Sequence, residues 1–161
     1  RPSRRMIFVS NTSPINYLIL IGYIDLLPEL FTQIIIPQAV ARELSDRSAP
    51  SPVQTWIQRP PPWISIQAAD NSSEQSVEGR DPGESEAILL AQVLNSDLLL
   101  LDDMKARQAA MKRGRSITGT LGILDQAAAM KRIDISVAVS RLQDTSFWIS
   151  PNLPCWVTRR F

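Results

Sequence analysis

Acidic, amide and hydroxyl side chains stand where apolar stretches of this chain end. Asn11 and Thr12 follow the first apolar run, and Asp102 and Asp103 follow a run of leucines. Carboxylate and amide oxygens are the ligands that hard cations such as Mg²⁺ and Mn²⁺ take in proteins. Such an ion polarises a phosphodiester and lowers the pKa of a bound water molecule. The pattern therefore predicts metal-assisted hydrolysis, provided that the fold brings these residues together.

Three glutamates are candidates to join this group. Glu43 lies in a predicted helix, at the edge of the face formed by its apolar residues, so its carboxylate should point along the rim of a sheet. Glu84 and Glu86 lie in the first turns of another predicted helix. Glu84 is also explained by a capping box with Asp81. Glu86 has no capping role, and a carboxylate beside so many apolar residues needs a partner.

Each of these acids has a purely structural interpretation as well. Asp102 or Asp103 is in position to cap the helix that follows, although we do not expect both to do so. Glu43 taken alone would more often be a surface acid than a ligand. The function therefore depends on convergence of the acids and not on any single residue.

The composition excludes several other kinds of site. The 161 residues are 44% hydrophobic and include no histidine and a single cysteine, Cys155. Zinc sites, nucleophiles paired with histidine and disulfide frameworks all need residues that are missing here. Catalysis would have to use carboxylates, hydroxyls, lysine or arginine.

The length and the apolar content predict one globular domain over residues 6–161, with residues 1–5 as an extension outside the fold. No stretch reaches the roughly 20 apolar residues of a membrane span, and no signal-peptide pattern precedes the first strand. We therefore expect a cytoplasmic protein that does not contact a membrane.

Strands alternate with helices along the chain. The pattern predicts strands at residues 6–9, 33–36, 63–66, 98–101 and 116–118. It predicts helices at residues 14–21, 26–30, 37–46, 52–58, 82–94, 104–113, 120–131 and 134–142. Ser13 would be the N-cap of the first helix, with Pro14 as its first residue. This alternation predicts an α/β fold with a parallel sheet.

In such a sheet the ligand-binding crevice lies beyond the carboxyl ends of the strands, where Asn11, Asp102, Asp103 and Thr118 would lie. A polar stretch, residues 68–80, is predicted to be a surface loop, and the segment from Phe147 to Pro151 is predicted to pack back on the domain.

Two further groups of residues have alternative interpretations. A basic cluster is either the solvated face of a helix or a surface that attracts phosphate; it comprises Lys105, Arg107, Lys112, Arg113 and Arg115. The tryptophans either pack in the core or supply an apolar interface; they are Trp56, Trp63, Trp148 and Trp156.

Taken together, these motifs resemble the PIN-domain superfamily, and within it the toxin ribonucleases of bacterial toxin-antitoxin modules (VapC type). The resemblance extends from about Ile7 to Pro151. It rests on the order and spacing of five segments: Val9-Ser10-Asn11-Thr12-Ser13-Pro14; Ile36-Pro37-Gln38-Ala39-Val40 with Glu43; Gly83-Glu84-Ser85-Glu86-Ala87-Ile88; Leu100-Leu101-Asp102-Asp103 with Lys105-Ala106-Arg107; and Thr118-Gly119-Thr120-Leu121-Gly122.

The resemblance implies a three-layer α/β/α sandwich that cleaves single-stranded RNA with Mg²⁺ or Mn²⁺, forms a homodimer and has an antitoxin protein as a partner. Its catalytic positions would be Asn11, Glu43, Glu86 and Asp103. The metal ligands would come from five acids, namely Glu43, Glu84, Glu86, Asp102 and Asp103. Thr12 and Thr118 would contact the substrate, and Lys105 and Arg107 would attract the RNA backbone.

Position 11 departs from the family pattern, because an active nuclease of this kind typically has aspartate there. The amide of Asn11 keeps one carbonyl ligand but carries no charge, so metal affinity should fall. Two functions therefore remain: a metal-dependent endoribonuclease, or a catalytically weakened module that binds RNA or a protein partner.

Two other phosphate chemistries are disfavoured. A receiver domain needs an aspartate at the end of the first strand, and Asn11 stands there. Gly119 and Gly122 lack the spacing and the lysine of a P-loop.

Overall fold

A computed structural model of the chain describes residues 6–68 and 81–147. The described part contains five strands, which are β1 (Phe8–Ser10), β2 (Ile34–Pro37), β3 (Ile64–Gln67), β4 (Leu98–Leu100) and β5 (Ile117–Thr118). All four strand pairs are parallel, and the order across the sheet is β3-β2-β1-β4-β5. The predicted parallel sheet is confirmed.

Eight helices connect these strands in the described residues. They are α1 (Thr12–Leu20), α2 (Leu26–Phe31), α3 (Gln38–Ser45), α4 (Ser51–Gln58), α5 (Pro82–Val93), α6 (Met104–Lys112), α7 (Thr120–Ala129) and α8 (Ile135–Gln143). Every predicted helix is present, with its bounds shifted by a few residues at most. The predicted loop lies outside the described residues except for residue 68, as does the segment from Trp148 to Pro151. Among the described helices, none is long and apolar enough to cross a membrane.

The helices cover both faces of the sheet, which gives the expected three-layer α/β/α sandwich. Leu99 and Leu101 pack with α5 and α6 on one face, while Leu100 packs with α1, α7 and the remaining helices on the other. All three leucines are fully buried. Strand β4 therefore has no polar alternation, because both of its faces are covered.

The first helix begins earlier than its sequence suggests. Asn11, not Ser13, is the N-cap of α1, and Thr12 is its first residue. The backbone N–H of Asn11 donates to the carbonyl oxygen of Leu100 at 2.9 Å, so the chain stays beside β4 until it turns into the helix. The Ser13 hydroxyl bonds outside its own helix, to Asp102. The prediction of Ser13 as the cap was therefore wrong.

Several helices end in residues of positive φ at the opposite end of the sheet. Gly22, Asn95, Gly114 and Lys131 follow α1, α5, α6 and α7 respectively, with φ between 52° and 83°. The left-handed conformation lets the chain leave one helix and turn into the next element, which is a strand after α5 and α6 and a further helix after α1 and α7. Because helices and parallel strands run in opposite directions, these turns lie at the amino ends of the strands.

Candidate active-site groove

A groove of about 570 Å³ lies where β1 and β4 end. Strand β1 has β2 on one side and β4 on the other, so the connections diverge at this point, as they do at the ligand site of open α/β sheets. The groove is lined by residues from five parts of the chain: Asn11, Ser13, Tyr17, Glu84, Asp102, Asp103, Met104, Arg107, Leu121, Ser146 and Phe147.

Asn11 lies at the base of this region with 5% of its surface exposed. Its side-chain oxygen, Oδ1, is buried and accepts no hydrogen bond from the described residues. A buried polar atom without a partner carries a desolvation cost of about 1–3 kcal/mol. Oδ1 is therefore an acceptor that a bound cation or donor could satisfy.

Asp102 connects three elements through its carboxylate. Oδ2 accepts hydrogen bonds from the hydroxyls of Ser13, at 2.8 Å, and Thr120, at 2.7 Å. Oδ1 accepts from the backbone N–H of Thr120 at 2.7 Å, at the first residue of α7. A Cβ at Gly119 would collide with this oxygen, so glycine is needed there. Asp102 thus holds the start of α7 against β4 and α1.

Asp103 is the N-cap of α6 and is exposed. Its Oδ2 accepts from the backbone N–H of Ala106 at 2.9 Å. As expected, only one of the two adjacent aspartates caps the helix that follows them. The other, Asp102, serves the start of a different helix.

The two candidate glutamates of α5 lie on different sides of the helix. Glu84 lines the groove and completes the predicted capping box, in which its backbone N–H donates to Asp81 at 2.8 Å. Glu86 faces α3, where it accepts from the backbone N–H of Ala39 at 3.3 Å and pairs with Arg42 at 3.4 Å. The partner expected for Glu86 is therefore present. Glu86 itself does not line the groove.

Glu43 also lies outside the groove lining, next to the start of α5. Its Oε1 accepts from the Thr12 hydroxyl at 2.8 Å. A Cβ at Gly83 would overlap the carboxylate, so the helix approaches Glu43 through a glycine. The second oxygen, Oε2, is buried and has no well-formed hydrogen bond to a described residue, although the N–H of Gly83 lies close enough to favour the ionised form.

The pKa of Glu43 is raised above its ordinary value, chiefly because burial penalises the charged form. The hydrogen bond from Thr12 acts in the opposite direction and lowers the pKa, as does the N–H of Gly83. The negative charges of Asp81 and Glu86 raise it further. Glu43 is thus held in an environment that partly opposes its ionisation.

Four of the helices that begin at this end of the sheet start at or beside the groove. The groove contains the cap of α1, Asn11; the third residue of α5, Glu84; and the cap of α6, Asp103; Asp102 binds the first residue of α7. Helix N-termini carry a partial positive charge. The same dipoles offset the repulsion between the acids and favour an incoming phosphate.

The basic cluster is divided between the two ends of α6. Arg107 lines the groove, and its guanidinium forms no hydrogen bond or ion pair with the described residues. Lys105 is exposed in the same first turn. Arg113 and Arg115 lie beyond the other end and donate to side chains of α5 and its final turn, Gln92 at 2.8 Å and Asn95 at 3.1 Å. Arg107 is therefore the uncommitted cation of this cluster that lies within the groove.

Several other candidate residues pack within the fold and do not line the groove. Thr118 packs beneath α7, where a Cβ at Gly122 would overlap its hydroxyl, and is not part of the groove lining. Trp56 and Trp63 contact each other with ring centroids 5.9 Å apart and pack against the larger core. Trp148 and Trp156 lie outside the described residues. Sequence reasoning missed Tyr17 and Phe147, which line the groove.

The groove has oxygen donors of the type that a divalent cation binds, but they are not gathered around one point. Within residues 6–68 and 81–147, no three His, Cys, Asp or Glu side chains are arranged to hold a metal ion together. The groove nevertheless contains the oxygen donors that a hard cation takes. They are the Oδ1 of Asn11, which has no partner among the described residues, and the carboxylates of Glu84, Asp102 and Asp103. The set fits such an ion in type but is not preassembled around it.

A second cavity, of about 530 Å³, is lined by residues of β1, β2 and β3 and by the segments that precede β1 and β2. It is lined by apolar and neutral polar side chains and includes no carboxylate or cation. Its lining offers nothing for hydrolysis, so the groove is the candidate active site.

Comparison with known proteins agrees with the architecture. Residues 7–160 match a family described as a PIN domain. No curated protein and no solved structure matches the chain. The family match covers nearly the whole sequence and therefore includes every element of the sheet and the groove. This chain belongs to the PIN-domain family.

Proposed function

We propose that this protein is an endoribonuclease that cleaves single-stranded RNA with the help of Mg²⁺ or Mn²⁺. PIN domains have a nuclease-type fold and generally use divalent metals. The observation that carries the proposal is a groove with three carboxylates in which the buried Oδ1 of Asn11 and the guanidinium of Arg107 have no partner among the described residues. A toxin role within a toxin-antitoxin module, and a homodimer, remain part of this proposal.

Asn11, Glu84 and Asp103 are the residues that would hold the ion, which would polarise the phosphodiester and lower the pKa of a bound water. Asp102 is a positioning residue, because its oxygens already accept three hydrogen bonds. Arg107 and the helix N-termini would bind the phosphate and orient it. Lys105 lies beside them and adds attraction for the RNA backbone.

The proposal assigns supporting roles to the other predicted catalytic residues. Glu43 fixes Thr12, the residue next to Asn11, through its hydrogen bond at 2.8 Å. Glu86 ties the start of α5 to α3 through Ala39 and Arg42. Both glutamates therefore position elements next to the groove without lining it. Their substitution should change the geometry of the groove more than its charge.

A second candidate function is binding of RNA or a protein partner without turnover. Two observations favour it: position 11 carries an uncharged amide, and the described residues contain no ready group of three acids for a metal. Fewer charged ligands mean weaker binding of the ion. In this case the groove would retain affinity for its ligand and lack hydrolysis.

The deciding experiment is cleavage of a labelled single-stranded RNA in Mn²⁺ by the native chain, Asn11→Asp and Asp103→Asn. Asparagine is itself a good N-cap, so Asp103→Asn keeps helix α6 capped and removes only the charge. Asp134→Asn is the matched control, because Asp134 caps α8 away from the groove.

The nuclease proposal predicts that Asp103→Asn lowers the cleavage rate by at least about tenfold, that Asp134→Asn leaves it unchanged, and that Asn11→Asp raises it. If the native chain is inactive and only Asn11→Asp cleaves, the binding function is the correct one. If Asp103→Asn cleaves as fast as the native chain, the groove is not the active site.

A further inference from the structure

The groove has two chemically different ends. The acidic end contains Asn11 and the acids, and the aromatic end contains Tyr17, Leu121 and Phe147. The two ends adjoin at Asp102, because its partner Ser13 lies one helical turn before Tyr17. Residues four apart on a helix lie about 6 Å from each other on one face. The aromatic end therefore begins within one nucleotide of the acids.

Tyr17 and Phe147 form a rigid aromatic pair. Their ring centroids are 4.9 Å apart and their planes meet at 85°. In this edge-to-face contact one ring presents its edge to the other, so the contact itself covers only one of the four ring faces. The Tyr17 hydroxyl forms a hydrogen bond with the Ser146 hydroxyl at 2.9 Å, which fixes the tyrosine. Both rings are half-buried, and both line the groove.

The position of Arg107 narrows the class of ligand. A purely apolar ligand at the aromatic end would leave the uncommitted guanidinium of Arg107 and the adjoining polar groups unused. A nucleotide offers a flat base for the rings and a phosphate for the guanidinium. Aromatic faces stack on any base, so such contacts add affinity with little sequence preference.

We propose that Tyr17 and Phe147 form a stacking site for the base of one nucleotide, adjacent to the phosphate held at the acidic end. The inference rests on the proposed function for the identity of the ligand as single-stranded RNA. It goes beyond that function by assigning base recognition to two aromatic residues that take no part in hydrolysis. Ser146 acts as a positioning residue through its hydrogen bond with Tyr17.

The test compares binding of a short oligouridylate with binding of an equally long chain of abasic ribose phosphate, both in EDTA so that no cleavage occurs. The native chain should bind the base-bearing strand about tenfold more tightly. Tyr17→Leu and Phe147→Leu should each weaken that binding by about five- to a hundredfold and leave abasic binding unchanged.

Two further variants separate stacking from other roles. Tyr17→Phe removes the hydroxyl and keeps the ring, so it should retain most of the preference for bases. Tyr23→Leu is the matched control, because Tyr23 carries an aromatic ring that contacts Arg141 outside the groove. A preference for bases that survives both leucine variants would overturn the proposal, as would a Tyr17→Phe effect as large as that of Tyr17→Leu.

The outcomes distinguish this inference from the nuclease proposal. A chain that prefers bases in EDTA but does not cleave in Mn²⁺ retains the stacking site and lacks the activity. A chain that cleaves without any preference for bases retains the activity and lacks the stacking site. Fluorescence of 2-aminopurine placed within the oligonucleotide gives a second readout on the native chain. Stacking of this base on Tyr17 or Phe147 should quench its fluorescence, so this measurement does not depend on whether the leucine variants fold.

Discussion

Asp102 shows how one carboxylate can connect several elements around the groove. Its three hydrogen bonds join α1, β4 and α7, the elements that shape the groove. Asp103, the next residue, makes a single described cap bond to the backbone of α6. Adjacent acids therefore have different consequences for stability and for chemistry.

Asp102→Ala should lower the free energy of unfolding by about 3 kcal/mol, because two donors of Thr120 and one of Ser13 lose a charged acceptor. Asp103→Ala should lose the hydrogen bond that caps α6, and the usual loss for a helix cap is about 1 kcal/mol. Urea denaturation followed by circular dichroism measures both values. Equal losses for the two variants would contradict the positioning role of Asp102.

Glu43 should make stability depend on pH in an unusual direction. Its pKa is raised in the folded state, chiefly by burial, so the folded chain holds this proton more tightly than the unfolded chain. Stability from this residue is fully present below the ordinary pKa of glutamate. It is lost as the pH rises from that value through the raised pKa of the folded state.

The variant Glu43→Gln removes this titration and keeps a partner for Thr12. Its free energy of unfolding should equal that of the native chain at low pH and exceed it increasingly as the pH rises through the interval. Glu29→Gln, on the surface of α2, controls for the loss of a negative charge elsewhere. A native chain that becomes more stable than Glu43→Gln toward neutral pH would contradict the argument.

The start of α5 is built around close contact with α3. Glycine at position 83 admits the carboxylate of Glu43 against the first turn of α5. The capping box then satisfies two backbone N–H groups of that turn, those of Asp81 and Glu84. The orientation of α5, and with it the placement of Glu84 in the groove, depends on this packing.

Gly83→Ala should therefore destabilise the protein by about 1–3 kcal/mol, since its new methyl group overlaps the carboxylate of Glu43. In a Glu43→Ala background the same change should be neutral or should stabilise by up to about 1 kcal/mol, as alanine favours a helix. A double-mutant cycle in urea measures the difference. Additive effects would show that the two residues do not meet.

The element pattern was predictable because periodicity and local capping agree along this chain. Asp81, Pro82 and Glu84 predict the start of α5, and the structure confirms it. The start of α1 was not predictable. Ser13 is a good N-cap by type, but its hydroxyl bonds to Asp102, which lies 89 residues away. Tertiary contacts of this kind have no local signal in the sequence.

The same limit applies to the groove. Glu84 and Glu86 are two residues apart, which turns their side chains by about 200° around the helix. Apolar residues surround α5 almost completely, so periodicity alone does not say which glutamate faces the groove. Tyr17 and Phe147 are separated by 130 residues and meet only through the packing of the final turn on α1. Aromatic residues so far apart look like ordinary core residues.

A net charge of +1 conceals an uneven distribution of cations over the molecule. At the groove end of α6, Arg107 bonds to none of the residues that the structure describes, whereas Arg113 at the other end donates to Gln92. If single-stranded RNA occupies the groove, Arg107 releases counterions from its phosphate and Arg113 does not.

Arg107→Ala should thus weaken RNA binding and reduce the slope of log Kd against log salt concentration by about 0.7. Arg113→Ala serves as the control and should leave that slope unchanged. Fluorescence anisotropy over a series of salt concentrations provides the measurement. Equal changes of slope in the two variants would place the RNA along the whole of α6.

The left-handed turns after α1, α5, α6 and α7 lie at the end of the molecule opposite the groove. At Gly114 a Cβ would meet no atom within 4 Å, and this turn is exposed at the amino ends of the strands, although its φ of 74° favours glycine at that position. We expect that extra residues, a fluorescent label or a fused domain attached at this turn would not reach the groove. At the groove end, Asn11 and Asp102 lie within two residues of the ends of their strands, so an inserted residue would displace them. Insertions should therefore be tolerated better at the turn that contains Gly114 than at the groove end of the sheet.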